Sequence, residues 1–276
     1  AVIWLQTHAV LNGVSFHHEI VRCQACQSVK VYTSGDSVID AITPKERHVE
    51  VKQMDCLEAV QSLQTYGFKK VAVLSMANRR KPGGTVKKGR YSQEEDLYRR
   101  TDMSKTTDRY LRTEGYPCSN ADTVMVQTGI TMLRGPEKEG YPFLEDVPDV
   151  ITVISAAVKK KPDMYTNPKT GRRHYLDAND KAEMLRLIRI LLQAAIHSDC
   201  QAVVLSALGC GPCGHDPEEI ATMFKTEIYR VGGNLPVIYF AILDDKKDAT
   251  TLRNFEAFKN ILVQPESFDS SWKTAK

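Results

Sequence analysis

The chain has 276 residues, 42% of them apolar and 26% charged, with a formal net charge of +3. That balance fits a soluble globular protein with a sizeable core and excludes a low-complexity chain. No apolar run reaches the roughly 18 residues of a membrane span. So small an excess of positive charge does not demand a nucleic-acid partner, and it is compatible with an anionic ligand held locally.

In chain order, the N-terminal stretch A-V-I-W-L-Q-T-H-A-V-L is too short and too interrupted for a signal peptide, so an intracellular location, cytoplasmic or nuclear, is expected. Residues 1–54 are polar and mixed without clear alternation, and are expected as a mostly helical or mixed extension packed on a core formed by residues 55–265. The tail, residues 266–276, reads as frayed. Seven cysteines, Cys23, Cys26, Cys56, Cys118, Cys200, Cys210 and Cys213, are an odd number spread too thinly for a disulfide scaffold, which points to a reducing compartment. Cys23 and Cys26, with His17 and His18 nearby, raise structural zinc against the simpler reading of unlinked thiols. No metal and no cofactor are expected.

Within the core, Asp55 followed by Glu58 makes a capping-box pattern ahead of a helix with Leu57, Val60 and Leu63 on one face. Short branched apolar runs read as buried strands: K-V-A-V-L-S-M-A from Lys70, V-I-T-V-I-S from Val150, A-V-V-L-S from Ala202 and P-V-I-Y-F-A-I from Pro236. T-V-M-V-Q from Thr123, then Gly129 and I-T-M-L-R, reads as two strands or one interrupted strand. Ala182 to His197 is apolar over most of its circumference and reads as a helix packed on a sheet, with His197 as a packing residue or a C-terminal cation. Asp216 as N-cap, Pro217 at the first position and Glu218 and Glu219 in the first turn open another helix through Tyr229. Strands alternating with helices indicate a layered α/β domain with a largely parallel sheet. Lys159 to Lys161 is a solvated basic run or an attractor of a polymeric anion, Pro162 to Arg173 a basic turn-rich loop, and Asp244 and Asp245 a turn or a ribose or adenine contact.

Chemistry concentrates in two glycine-containing stretches. N-R-R-K-P-G-G-T-V-K-K-G-R-Y-S-Q-E-E, from Asn78, leaves a strand, passes through Gly83, Gly84 and Gly89 and enters a helix at Gln93. Such a loop brings backbone N–H groups close to an anion, although neither the Walker order nor G-x-G-x-x-G is present. Glu94 and Glu95 close it, and adjacent side chains at a helix start diverge by about a hundred degrees, so they address different atoms. The bland account is that acids favour a helix N-terminus through its dipole. The second stretch, A-L-G-C-G-P-C-G-H-D-P from Ala207, contains C-G-P-C, the pattern of thiol redox enzymes. Asp216 and Pro217 start the helix only after Cys213, so the tetrapeptide lies in a loop, and too few residues follow it for a thioredoxin domain.

Pro82-Gly83-Gly84-Thr85, then seven residues, then Gln93-Glu94-Glu95 resembles the signature of microbial-type poly(ADP-ribose) glycohydrolases. S-M-A-N before it, L-Y-R-R-T after it, V-I-S-A-A at Val153 and L-G-C-G-P-C-G-H-D-P are similar to further motifs of that branch, in order, from about Tyr32 to Asp245. The resemblance implies a macrodomain-like α/β/α fold with a mixed central sheet and an ADP-ribose cleft at the sheet's C-terminal edge. It implies Glu95 as the general acid and Glu94 as the residue orienting the scissile ribose. The implied ligand-binding set is Asn78, Gly83, Gly84, Thr85, Gln93, Ser206, Gly209, Cys210, Gly211, Pro212, Cys213 and Gly214. The implied partner is ADP-ribose or poly(ADP-ribose) on modified proteins or nucleic acid, bound by a monomer with no membrane association. Three residues depart from the pattern. Thr85 stands for a third glycine, Cys213 for a phenylalanine that packs on the ligand, and His215 for an asparagine, with Tyr91 or Tyr239 as substitutes for the lost aromatic wall. These departures keep open a reader of ADP-ribose with weak hydrolysis.

Overall fold

The computed structural model describes residues 2–11, 27–36, 47–112, 114–116, 118, 120, 122–145, 150–243 and 249–263. After helix α1 (Val2–Leu11) come strands β1 (Ser28–Thr33) and β2 (His48–Lys52), helix α2 (Cys56–Thr65), strand β3 (Val71–Met76), helices α3 (Gln93–Arg100) and α4 (Met103–Leu111), and strands β4 (Thr123–Ile130) and β5 (Ile151–Ala156). A short hairpin, β6 (Met164–Thr166) and β7 (Arg173–Tyr175), precedes α5 (Ala178–His197), β8 (Ala202–Leu205), α6 (Pro217–Arg230), β9 (Val237–Ala241) and α7 (Ala249–Leu262).

Seven strands form one mixed sheet in the order β1-β4-β5-β3-β8-β9-β2. From β5 to β2 every neighbour is parallel, while β4 runs antiparallel to both β1 and β5. Residue alternation divides the core in two. Ala72, Leu74, Val203, Leu205, Ile238 and Phe240 face the layer containing Leu191 and Phe224. Val71, Val73, Ala202, Val204, Val237 and Tyr239 face the layer containing Leu57, Leu97 and Met103. The result is the three-layer α/β/α arrangement expected from the sequence, with β3, β5 and β8 nearly apolar throughout because both of their faces are covered.

Several boundaries differ from expectation. β1 and β2, both within residues 1–54, are the two edge strands of the central sheet and not an appended element. β1 has only half-buried or exposed positions, so it lacks the apolar run that marks an interior strand. T-V-M-V-Q-T-G-I is one strand, irregular between Gln127 and Ile130, where Gly129 takes a left-handed φ of +70°. Helix α5 starts four residues before Ala182, capped by Asp177, whose carboxylate accepts the amide of Asn179 at 2.8 Å. The turn-rich segment from Pro162 carries the β6–β7 hairpin. Asp55 caps α2 by accepting from the amides of Leu57 and Glu58, and Asp216 caps α6 by accepting from those of Glu218 and Glu219. His197 is stacked on Tyr32, with ring centroids 5.7 Å apart, the packing role. Among the described residues no helix is long and apolar enough to cross a membrane. Asp244, Asp245 and the tail from residue 266 lie outside the described residues, as do His17, His18, Cys23 and Cys26.

Candidate active site

Because β5, β3, β8 and β9 are parallel, their C-terminal ends lie along one edge of the sheet, and the loops that leave them share it. The loop after β3 runs from Ala77 to Ser92 and the loop after β8 from Ser206 to Asp216, on adjacent strands. The expected ligand-binding residues therefore fall on one sheet edge.

Three consecutive side chains at the start of α3 hold the first loop. Gln93 accepts the Met76 amide at 2.8 Å and donates to the Leu74 carbonyl at 2.5 Å, so its side chain completes the hydrogen bonding of β3. It thereby has a structural role at the strand's end. Glu94 accepts the amide of Asn78 at 2.8 Å on one oxygen and that of Gly83 at 2.9 Å on the other. Glu95 accepts the Thr85 amide at 3.0 Å on Oε1, while its Oε2 is buried and has no hydrogen-bond partner among the described residues. Both carboxyls are at most 4% exposed. Asn78 turns the chain by accepting the amides of Arg80 and Lys81 on Oδ1.

Two adjacent glycines of this loop have no room for a side chain. Gly83 has φ +69°, and a Cβ there would lie 2.7 Å from the Tyr98 ring; Gly84 has φ +51°, and a Cβ there would collide with Glu95 Oε1. Thr85 stands where the resemblance has a third glycine. Its φ of −119° is open to any residue, and its hydroxyl lies 3.5 Å from Glu95 Oε1. The extra side chain is directed at the held oxygen of Glu95.

Burial pushes the Glu94 carboxyl up to about 8; the Asn78 and Gly83 amides oppose the shift and the neighbouring Glu95 charge adds to it. At this helix N-terminus, desolvation outweighs the dipole.

The second loop turns on Gly209 (φ +79°) and Gly214 (φ +80°). Gly211 and Pro212 are exposed, Ser206 and Cys210 buried, Cys213 half-buried. Cys210 and Cys213 are free thiols, and burial drives the Cys210 thiol well above its usual pKa. A redox dithiol needs an activated, accessible thiolate, so the thioredoxin-like reading fails here on protonation as well as on position. His215 is 4% exposed; its Nε2 donates to the Lys159 carbonyl at 2.7 Å and its Nδ1 accepts from the Tyr175 hydroxyl at 2.5 Å. Tyr175 escaped the sequence reading because nothing in its spacing separates it from other hairpin tyrosines. Of the substitute aromatics, Tyr239 is buried with its hydroxyl on Met54 Sδ, and Tyr91 is exposed under the Arg99 guanidinium, 5.0 Å from the ring centre. In the basic run, Lys159 pairs with Asp180 at 2.6 Å. Among the described residues, no group of three or more His, Cys, Asp or Glu side chains is placed to hold a metal ion.

Residues 8–130 match the family model described as the catalytic domain of microbial-type PARG. That span includes the first loop and both glutamates, and it ends before the second loop. No curated protein matches the chain. Among solved structures, poly(ADP-ribose) glycohydrolase from Thermomonospora curvata is 18% identical, with a TM-score of 0.72 over 94% of this chain and 97% of that one. The same enzyme bound to the inhibitor ADP-HPD gives a TM-score of 0.69 over the same shares at 18% identity. The glycohydrolase from Deinococcus radiodurans in complex with ADP-ribose gives 0.65, at 18% identity, over 92% of this chain and 100% of that one. Over residues 8–130 the chain is therefore a match to the microbial-type PARG catalytic family, and its described fold is that of poly(ADP-ribose) glycohydrolases.

Proposed function

We propose that the chain is a glycohydrolase that cleaves the O-glycosidic ribose–ribose bond of poly(ADP-ribose), or a related ADP-ribosyl linkage, and releases ADP-ribose. The observation that carries this reading is the asymmetry of Glu95: one oxygen held by the Thr85 amide, the other buried and without a hydrogen-bond partner among the described residues. A carboxyl anchored on one oxygen and unpaired on the other keeps an oxygen to carry a proton to a leaving group.

In this reaction the Glu95 proton moves to the departing ribose oxygen as the bond to the anomeric carbon breaks, leaving an oxocarbenium-like centre. Water adds to that carbon, and its proton returns to the Glu95 carboxylate or passes to a substrate phosphate. Glu94, protonated below about pH 8, keeps one lone pair and one O–H beyond the two amides it accepts, and these meet ribose hydroxyls. The diphosphate is assigned to the second loop, where exposed Gly211 offers a backbone N–H. Because the glutamates are adjacent in sequence and do not face each other across a cleft, their separation does not predict retention or inversion.

The substrate is ADP-ribose polymer on modified protein or nucleic acid, handled by a monomer inside the cell. A reader of ADP-ribose with little turnover is the second reading, supported by the Thr85 hydroxyl lying beside Glu95.

Wild type and Glu95→Gln, each given polymer, ADP-ribosylated protein and ADP-ribosylated DNA, separate the two. The enzyme reading expects both proteins to bind ADP-ribose in calorimetry and only wild type to release it, with a loss of at least about a hundredfold in the variant. Equal release by both would sink Glu95 as the acid; binding without release by either would establish the reader.

A further inference from the structure

The segment from Lys159 to Tyr175 is tied to the second loop at three points. The Lys161 amide donates to the Cys213 carbonyl at 2.7 Å, His215 Nε2 to the Lys159 carbonyl at 2.7 Å, and the Tyr175 hydroxyl to His215 Nδ1 at 2.5 Å. The first tie holds Lys161 at φ +54°, a left-handed backbone that a lysine adopts only under constraint. The second fixes the imidazole tautomer. A carbonyl can only accept, so Nε2 carries the hydrogen and, in the neutral ring, Nδ1 must accept from Tyr175. Burial lowers the His215 pKa and keeps the ring neutral.

The ring also sets the loop's backbone directly. Gly209, at φ +79°, lies so close under it that a Cβ would come within 2.7 Å of the His215 Cδ2. The same imidazole thus abuts the loop's first glycine, hydrogen-bonds the strand exit after β5 and receives the hairpin.

We infer that His215 is the positioning residue of the second loop and that, through Tyr175, the β6–β7 hairpin is a working part of the site. The hairpin is anchored beyond this contact as well: His174 pairs with Glu219 at 2.5 Å and Arg172 with Glu218 at 2.9 Å, both on the first turn of α6. Those contacts hold the hairpin to the helix. The Tyr175 hydroxyl is its link to the imidazole that shapes the loop.

This inference rests on the proposed ADP-ribose site, and a thiol in the loop makes it testable apart from that site. Cys213 is half-buried in the loop and reports its opening. Tyr175→Phe removes one hydroxyl and leaves the ring; His215→Gln removes the imidazole; the double variant removes both. Iodoacetamide labelling of Cys213, followed peptide by peptide, is expected to quicken about tenfold or more in either single variant, with the double variant no faster than His215→Gln alone. In parallel, KM and the ADP-ribose Kd should rise about tenfold, with kcat within about twofold. Thermal melts confirm that each variant is folded, and His215→Asn serves as a second variant if His215→Gln is not. Unchanged Cys213 labelling in folded variants, or effects that add in the double variant, would overturn the inference. Wild type failing to bind ADP-ribose would overturn the functional reading alone, because the labelling arm needs no ligand.

Discussion

Gln93 is bonded to β3 as though it belonged to the sheet: its carboxamide takes the Met76 amide at 2.8 Å and gives to the Leu74 carbonyl at 2.5 Å. Strand β8, the neighbour of β3, pairs with it only at Val71, Ala72 and Val73. The side chain thus occupies the place where that pairing stops. The first helical residue after the loop is joined to the strand before it, and Glu94 and Glu95 inherit their positions from that joint.

Gln93→Ala should therefore act on stability and activity together. It leaves the Met76 amide and Leu74 carbonyl without this partner, at a cost of about 2–4 kcal/mol. For a domain of this size that corresponds to a fall in Tm of roughly 5–15 °C. A melt unchanged within about 2 °C would mean that the joint contributes nothing.

Glu94 should make stability fall as pH rises. Its carboxyl is raised from 4.5 in the unfolded chain to about 8 in the folded one, chiefly by burial. Between those values the folded state holds a proton that the unfolded state has lost. The contribution is thus fully present below the unfolded pKa and is lost as pH climbs through the folded one, with a slope of at most about 1.4 kcal/mol per pH unit. Urea titrations of wild type and Glu94→Gln from pH 5 to 8.5 check this: the difference between them should drift in favour of the variant. Asp102, raised to about 6 by burial, adds a similar slope below that pH in both proteins and cancels from the difference. Parallel curves would refute the shift.

Cys210 should be inert. With its thiol buried and its pKa far above normal, iodoacetamide at pH 8 should modify half-buried Cys213 before it touches Cys210. The Cys210→Ser, Cys213→Ser double variant should keep its hydrolytic activity, and wild type should show no disulfide reductase activity. Preferential labelling of Cys210 would return the C-G-P-C stretch to thiol chemistry.

What the sequence made legible follows from burial. β3, β5, β8 and β9 are covered on both faces, so they appear as unbroken branched runs, and α2 and α6 announce themselves through Asp55 and Asp216. β1 and β2 are sheet edges, and the former has no fully buried position, which is why residues 28–33 and 48–52 looked like part of an appendage. The first turn of α5, Ala-Asn-Asp-Lys, is polar, and its buried Asp180 pairs with Lys159 instead of joining an apolar stripe. At the site, the adjacency of Glu94 and Glu95 was readable. Which loop amide each of their oxygens meets was not, since that depends on how the loop folds back. Nor was the pairing of Tyr175 with His215, forty residues apart and joined only when the hairpin lies against the loop.

Arg100 lies at the far end of the helix that carries both glutamates, 1% exposed, with one guanidinium nitrogen shared between Asp55, the cap of α2, at 2.8 Å and Asp96 at 2.9 Å. Two neighbouring helices thus end on a single buried cation. On the proposed function, an incoming ligand would meet two carboxyls whose supporting helix was oriented when the protein folded. For the proposed activity, differences in turnover among variants are therefore expected to follow loop kinetics and not helix rearrangement.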